Sequence, residues 1–434
     1  MRRLLSALIV AAGVAPTCYA LDLAQAYDQA IKNDPQWSAT TNQYLSDNEK
    51  EALSRGALLP TVGLAASVTQ NNISPDSGSS YDYTGTQLSL QLRQPLYRPD
   101  LWRAYQKTKT LTSVNEASYR QKQQEQVLRV SEAYFNVLRA EETLGSAKAE
   151  EAALKRQLEQ AQKRFDVGLI AKTDVLEAQA QLDGSTANRI SQEVSLASAR
   201  ETLTAIIGSD GGQLSGLRAD FIITPPQPNT PDEWVKLSLD KNPQLATARF
   251  NYQAAQQVRE EQRSGYLPTV DFVASAAKTD NGSDNARALS NGEQIAAGVE
   301  MQWALYSGGR TNTAIKQASY ASDAARDQVT SVERQLTTQT RTAYLNVSAD
   351  SYRVAARQQA VKSSESALAA TKAGYDVGTR NIVDVLLAER NVYAAKRDFA
   401  NSRYDYVINT LKLRSSSGQL SDIDIKELNG WLGK

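Results

Sequence analysis

Four segments of the chain alternate between apolar and polar side chains, a period of two that is typical of β-strands with one apolar and one polar face. These segments lie at about 61–70, 84–96, 269–278 and 293–306. In the last of them, Ile295, Val299 and Met301 are separated by small or polar residues. The segments are close in length to a membrane β-strand, which has roughly 9–11 residues. A soluble antiparallel sheet with one wet face gives the same alternation.

Aromatic residues lie at the ends of these segments, as in the interfacial girdles of membrane strands, and they favour the membrane interpretation. They are Tyr81, Tyr83, Tyr97, Trp102, Trp303 and Tyr306. Four strands cannot close a barrel, because about eight are needed and lipid does not tolerate open sheet edges. Several chains would therefore share one barrel, with eight, twelve or sixteen strands for two, three or four chains.

Two long stretches are predicted to be nearly unbroken helix. None of the twelve prolines falls between 100 and 224 or after 268, and these stretches are rich in Ala, Gln, Glu, Lys, Arg and Leu, which are good helix formers. Apolar residues such as Val127, Val130 and Tyr134 recur at coiled-coil spacing. A soluble coiled coil is the simplest alternative explanation of that spacing.

The two halves of the chain repeat each other, at an offset of 208 residues up to the first strands and of 210 residues along the long helices, so the fold is expected to contain an internal duplication. Each helical stretch is interrupted once, at the sequences ending in Gly168 and Gly378. Glycine is the usual left-handed cap of a helix, and Asp174 and Asp384 would lie in the first turn of the next helix, near its positive dipole end. Each half therefore ends in a predicted helical hairpin, with a first arm roughly 100 Å long at about 1.5 Å per residue.

The repeat divides the chain into five segments. They are a signal peptide at 1–20, a first repeat at 21–208 (helix, two strands, long helix, helix), a linker at 209–240, a second repeat at 241–418 and a C-terminal tail at 419–434. A basic start, an apolar run at 4–14 and small residues at Cys18 and Ala20 predict export with cleavage after Ala20. A lipoprotein anchored through Cys18 is the alternative, which Pro16 and Thr17 disfavour.

Composition argues against an enzyme. The chain has 434 residues, no histidine and a single cysteine, so histidine catalysis, thiol chemistry and the usual zinc sites are excluded or nearly so. We expect no catalytic residue, no cofactor and no metal. The chain has 48 Lys+Arg and 48 Asp+Glu. It therefore has no net positive charge that would indicate nucleic-acid binding. A mean hydropathy of −0.47 is too polar for a bundle of membrane-spanning helices.

The signal peptide, the duplicated order of elements and the segment 373–386 together resemble the TolC family of outer-membrane channel proteins. The resemblance covers essentially the whole mature chain. It implies an α+β membrane protein in which long helical hairpins form an α-barrel tunnel across the periplasm. Each chain would contribute four strands to a twelve-stranded transmembrane β-barrel in the lipid of the outer membrane, shared by a homotrimer.

The same resemblance implies a passive exit channel for type I protein secretion, multidrug efflux or both. Its partners would be a periplasmic adaptor, also called a membrane fusion protein, and an inner-membrane ABC exporter or proton-driven efflux pump. The main alternative from another class is an exported coiled-coil scaffold without a pore. The sequence does not choose between secretion and efflux.

By resemblance, four residues form a latch that holds one hairpin tip to its neighbour. Tyr375 and Arg380 match the residues on one side of the latch, and Thr173 and Asp174 match their partners. A bond between arginine and a carboxylate would hold the tip shut. We therefore expect these residues to control opening of the channel entrance.

Other tip residues have implied roles in constriction and docking. Asp384 matches an aspartate that lines the closed entrance, where three copies would form an acidic ring, although an acid in the first turn of a helix needs no gating role. Leu387 stands where a second aspartate is found in the best-known member of the family, so we expect a single ring. Gly168 and Gly378 match tip turns that also dock against the adaptor.

Overall fold

The structure is a computed structural model that describes residues 20–74, 76, 80–218, 220–282 and 291–433. The predicted signal peptide, apart from Ala20, lies outside the described residues. Ala20 precedes Leu21, which forms a parallel bridge with Leu214.

The first half contains two short helices, two strands and a long helical hairpin. These elements are α1 (Leu23–Asn33), α2 (Pro35–Gly56), β1 (Thr61–Ile73), β2 (Tyr81–Tyr97), α3 (Pro99–Asp166) and α4 (Lys172–Ile207). The second half repeats this order and adds a final helix. Its elements are α5 (Pro231–Lys241), α6 (Pro243–Arg263), a 3-10 turn (Ser264–Tyr266), β3 (Thr269–Asn281), β4 (Gly292–Gln302), α7 (Arg310–Asp376), α8 (Ile382–Ser416) and α9 (Asp422–Asn429).

The predicted fourth strand, 293–306, extends too far at its C-terminal end. β4 ends at Gln302 because its partner β3 begins at Thr269, directly after Pro268, and Thr269 pairs with Gln302. Beyond that pair no strand residue of β3 is available, and the chain turns towards α7 through Gly308 and Gly309, both of which have positive φ. The first three strands are instead a few residues longer than predicted.

The four strands form one antiparallel sheet in the order β1-β2-β3-β4. Its register aligns apolar residues on one face, as in the row Leu64, Leu90, Ala276 and Ile295. The adjacent row, on the opposite face, contains Gly63, Gln91, Ser275 and Ala296. Leu64 is 70% exposed and Ile295 is 85% exposed, so nothing in the described part of a single chain covers the apolar face.

The largest apolar core lies midway along the long helices, away from both the sheet and the hairpin tips. It joins α1, α3, the ends of α4 and α8, and α9, and its largest fully buried side chains include Tyr134, Phe135 and Tyr404. The Tyr134 hydroxyl lies 2.9 Å from the Leu21 carbonyl oxygen and 2.8 Å from that of Ser215. This core therefore fixes both Leu21 and part of the 209–240 segment against the long helix.

Candidate functional site at the hairpin tips

Each hairpin tip is a turn built around a glycine with positive φ. Gly168 and Gly378 have φ values of 76° and 78°, a region that residues with a Cβ disfavour. In the first turn the Leu169 N–H donates to the Arg164 carbonyl at 2.9 Å, which satisfies a carbonyl left open at the helix end. A Cβ at either glycine would meet nothing within 4 Å. The backbone conformation alone therefore requires glycine, and the adaptor-docking role stays a prediction.

Asp384 is held by the first turn of α8. Its backbone N–H donates to the Asn381 side-chain oxygen at 2.8 Å, and its carboxylate accepts from the Asn381 N–H at 3.4 Å, which is a reciprocal capping box. The equivalent Asp174 has no such restraint, because Ala171 stands at the N-cap of α4. The duplicated carboxylates are thus chemically different, since one is fixed at its helix end and the other is available for a partner.

Arg380 lies beside the fixed carboxylate. Its guanidinium is 3.8 Å from the Asp384 carboxylate, and its side chain is 62% exposed. A Cβ added at Gly374 would lie 2.8 Å from Arg380 Cγ. The missing side chain at Gly374 therefore allows Arg380 to lie along the end of α7, close to the predicted ring residue.

Tyr375 contacts a residue that sequence analysis did not identify. The Arg164 guanidinium lies over the Tyr375 ring, 4.7 Å from its centroid, within the range of a cation–π interaction. The same guanidinium is 3.6 Å from the Asp376 carboxylate. Gly374 occupies the position of Arg164 in the second repeat. Comparing the two repeats therefore reveals that only the first has a cation at this position, but it does not reveal that this cation contacts Tyr375. Arg164 joins the two hairpins of one chain.

The predicted latch is not assembled within one chain. Among the described residues, no hydrogen bond or ion pair joins Thr173 or Asp174 to Tyr375 or Arg380. Thr173 and Arg380 are exposed, and Asp174 and Tyr375 are partly exposed. These groups are therefore accessible to the tip of a neighbouring chain, and the latch stays a prediction.

An apolar cluster holds the two hairpin tips together. Its buried members come from α3, α4 and α8 and are Leu154, Ala161, Ala178, Ile382, Val385 and Leu386. Leu387 follows this cluster but is 46% exposed. Because Ile382, Val385 and Leu386 are buried on one side of α8, the helix cannot rotate Asp384 without disrupting this packing.

A polar cavity of about 480 Å³ lies beside this cluster, between α3, α7 and α8. Arg156, Lys163, Lys372 and Glu389 contribute to its lining. Lys372 lies 3.2 Å from the buried Glu389 carboxylate, whose other oxygen has no hydrogen-bond partner among the described residues. No local sequence pattern predicts this ion pair, because its members are seventeen positions apart on different helices.

The described residues form no recognisable catalytic constellation. Burial raises the pKa of Glu150, against the opposing effect of Arg390 and Arg397, whereas a hydrogen bond from Thr186 lowers that of Glu151. Glu150 and Glu151 lie on different sides of α3, so the two carboxylates cannot act together on one bond of a substrate. No group of three potential metal ligands occurs in the part of the chain that the structure describes.

The described helices also include none that combines enough length with enough apolar character to cross a membrane. Two long hairpins, an antiparallel sheet with an uncovered apolar face and glycine-capped tips define a chain of the channel-tunnel class. A solved structure of the outer-membrane protein VceC from Vibrio cholerae has the same fold, with a TM-score of 0.77 and 19% identity over 91% of this chain and 96% of that one.

Sequence comparison extends this structural likeness. The model of the family described as outer membrane efflux protein matches residues 26–209 and 234–419. The outer membrane protein TolC of Vibrio cholerae is 35% identical over all of this chain and 99% of that protein. The alkaline protease secretion protein AprF of Pseudomonas aeruginosa is 28% identical over 94% of this chain and 86% of that protein.

The chain belongs to the outer membrane efflux protein family. The predicted family, the duplicated fold and the outer-membrane location are confirmed. The two matched segments correspond to the two halves of the internal repeat.

Proposed function

We propose that three copies of the chain form one passive channel through the outer membrane, continued by a helical tunnel in the periplasm. The uncovered apolar face of the sheet is the observation that carries this proposal. β1 and β4 are the outer strands of the described sheet and pair on one side only. Joining β1 of one copy to β4 of the next satisfies both edges, which lipid requires of any sheet that spans it.

The aromatic residues support this placement of the sheet. Tyr97, Trp102, Trp303 and Tyr306 are exposed, and all lie near the ends of the strands that adjoin α3 and α7. Tyrosine and tryptophan concentrate at the interfaces of membrane β-barrels. In the assembled channel these residues mark the periplasmic interface, and α3 and α7 continue from it for about 100 Å at about 1.5 Å per residue.

The cargo enters at the hairpin tips, where a periplasmic adaptor and an inner-membrane ABC exporter or proton-driven pump engage the channel. Gly168 and Gly378 form the docking turns, and Asp384 lines the entrance. Both type I secretion and multidrug efflux fit this arrangement. The name of the similar protein AprF refers to protease secretion, which supports secretion as one role. The channel supplies a path, and its partners supply the energy.

Membrane fractionation and bilayer recording test the proposal. We expect the mature protein to partition with outer membranes, to run as a heat-sensitive trimer after mild detergent extraction, and to conduct ions in a planar bilayer. A coiled-coil scaffold without a pore gives the opposite result, because it stays in the soluble fraction and adds no conductance. Chemical cross-linking distinguishes a trimer from a dimer or tetramer.

Neutralising Asp384 is expected to weaken block of the channel by multivalent cations. Asp384→Asn removes the negative charge of the ring, but an amide oxygen still accepts the hydrogen bond of the capping box. Loss of one charge in each of three copies should raise the half-blocking cation concentration about tenfold, which corresponds to about 1.4 kcal/mol of binding. The measurement is titration of a trivalent cation into a bilayer that contains single channels.

The matched control is Asp166→Asn. Asp166 ends α3, lies at the other hairpin tip and is exposed, so the substitution removes the same charge from the same end of the molecule without altering the predicted ring. Block should stay at the parental level in this control. If Asp384→Asn also stays at that level, Asp384 does not line the constriction.

A further inference from the structure

A second charged cluster lies at the opposite end of the long helices, where the sheet meets α3. Asp271 of β3 is at its centre and is only 4% exposed. The Arg93 guanidinium donates two hydrogen bonds to one Asp271 oxygen, at 3.1 and 2.6 Å. Arg98 donates a third to the same oxygen at 3.2 Å. A buried carboxylate that accepts from two guanidinium groups is a fixed feature, because removing the carboxylate would leave both cations without their shared partner in a partly buried site.

Arg98 connects this carboxylate to the long helix. Its guanidinium forms a two-point ion pair with Asp100 in the first turn of α3, at 3.1 and 2.8 Å. β2 has an irregularity between Pro95 and Tyr97, just before the chain enters α3. The cluster therefore spans the β2–α3 connection and fixes the orientation of Arg93 relative to both elements.

Strand register places this cluster on the polar face of the sheet. Asp271 pairs with Glu300 across β3 and β4, and Arg93 pairs with Val273, two residues from Asp271 and thus on the same face. Arg93 is 55% exposed and Glu300 is 61% exposed, and their charged atoms are 3.9 Å apart. Together with Asp271 they line a cavity of about 580 Å³.

We infer that Arg93 and Glu300 set the ion selectivity of the export path at this junction, and that Asp271 is the positioning residue that holds Arg93 in place. The inference rests on the proposed function, since three copies are needed to surround a lumen. If the apolar face of the sheet contacts lipid, its polar face lines the water-filled interior. Three arginines and three glutamates then form a mixed ring through which cargo passes between the helical tunnel and the barrel.

Ion selectivity measurements with neutralised variants test this inference. The K⁺/Cl⁻ permeability ratio is obtained from the reversal potential of bilayer-inserted channels under a KCl gradient. We expect Glu300→Gln to lower the ratio and Arg93→Gln to raise it, each by roughly twofold to fourfold. This is the size of effect expected when a unit charge is removed at several ångströms from an ion in water. Opposite shifts from two neighbouring residues are not expected from a purely structural role.

A control on the same strand distinguishes the two faces of the sheet. Glu293 also lies in β4 and is 72% exposed, but it is an odd number of positions from Glu300 and so lies on the apolar face. Glu293→Gln should leave the ratio unchanged. Arg93→Lys, which keeps the charge, should also stay near the parental ratio, whereas Arg93→Gln should not.

The recordings are repeated in an Asp384→Asn background, so that charge at the tip does not mask charge at the junction. If the channels conduct but neither Glu300→Gln nor Arg93→Gln changes the permeability ratio, the inference is wrong and the proposed channel function is retained. A response to Glu293→Gln without one to Glu300→Gln also overturns it, because the faces would then be reversed. A parental protein that forms no conducting oligomer overturns both the channel and the inference.

Discussion

Replacing Arg380 by serine is expected to raise the conductance of the closed channel severalfold. In the trimer that we propose, three Asp384 carboxylates would line the entrance, and in each chain the Arg380 guanidinium lies 3.8 Å from the Asp384 carboxylate. Removing that cation leaves three like charges without compensation, and like charges at close range repel. It also removes the cation that we propose to pair with Asp174 of a neighbouring chain. Both effects favour an open tip.

Single-channel recording at low salt measures this effect, because screening weakens the repulsion as ionic strength rises. The matched control is Arg326→Ser on α7, which removes an arginine that is 57% exposed and lies 3.5 Å from Asp323 on the same helix. This control should conduct like the parent. An Arg380→Ser channel that stays as resistive as the parent excludes Arg380 from the latch.

Replacing Gly418 by alanine is expected to destabilise the folded protein by about 2–5 kcal/mol. Gly418 lies two residues after the end of α8 and has a φ of 72°, and a Cβ there would lie 2.6 Å from Asn242 Cα and 2.7 Å from Asn242 N. These are backbone atoms, so no rotamer change relieves the clash. The Asn242 side chain also donates to the Ser416 carbonyl at 2.9 Å, which ties the same two segments together. Conformational strain of about 1–2 kcal/mol and overpacking of about 1–3 kcal/mol should act together.

Gly378→Ala separates these two contributions. Gly378 has a φ of 78° but nothing within 4 Å of an added Cβ, so the variant should show the conformational strain alone. The measurement is the temperature at which the detergent-resistant oligomer dissociates, together with the yield in the outer membrane. An equal decrease of the dissociation temperature in the two variants would show that the contact with Asn242 does not constrain the end of α8.

The sequence predicted the local elements well because their signals are local. Proline placement and helix-forming composition predicted the two long hairpins, and the repeated glycines marked their ends. Alternation predicted the four strands and their apolar faces, although the end of β4 depends on where β3 begins. The family resemblance identified the channel class, which the family match confirms. The roles of the latch residues and of Asp384 stay predictions, since they depend on contacts between chains.

Tertiary structure alone decided which distant residues meet. Arg93 and Asp271 are 178 positions apart and come together because β2 pairs with β3, a choice that no local pattern encodes. The contact between Arg164 and Tyr375 depends in the same way on packing of one hairpin against the other. Periodicity shows which face of an element is apolar, because that face is set by neighbours in the sequence. The partner of each charged side chain is set by the register between elements, and the fold determines that register.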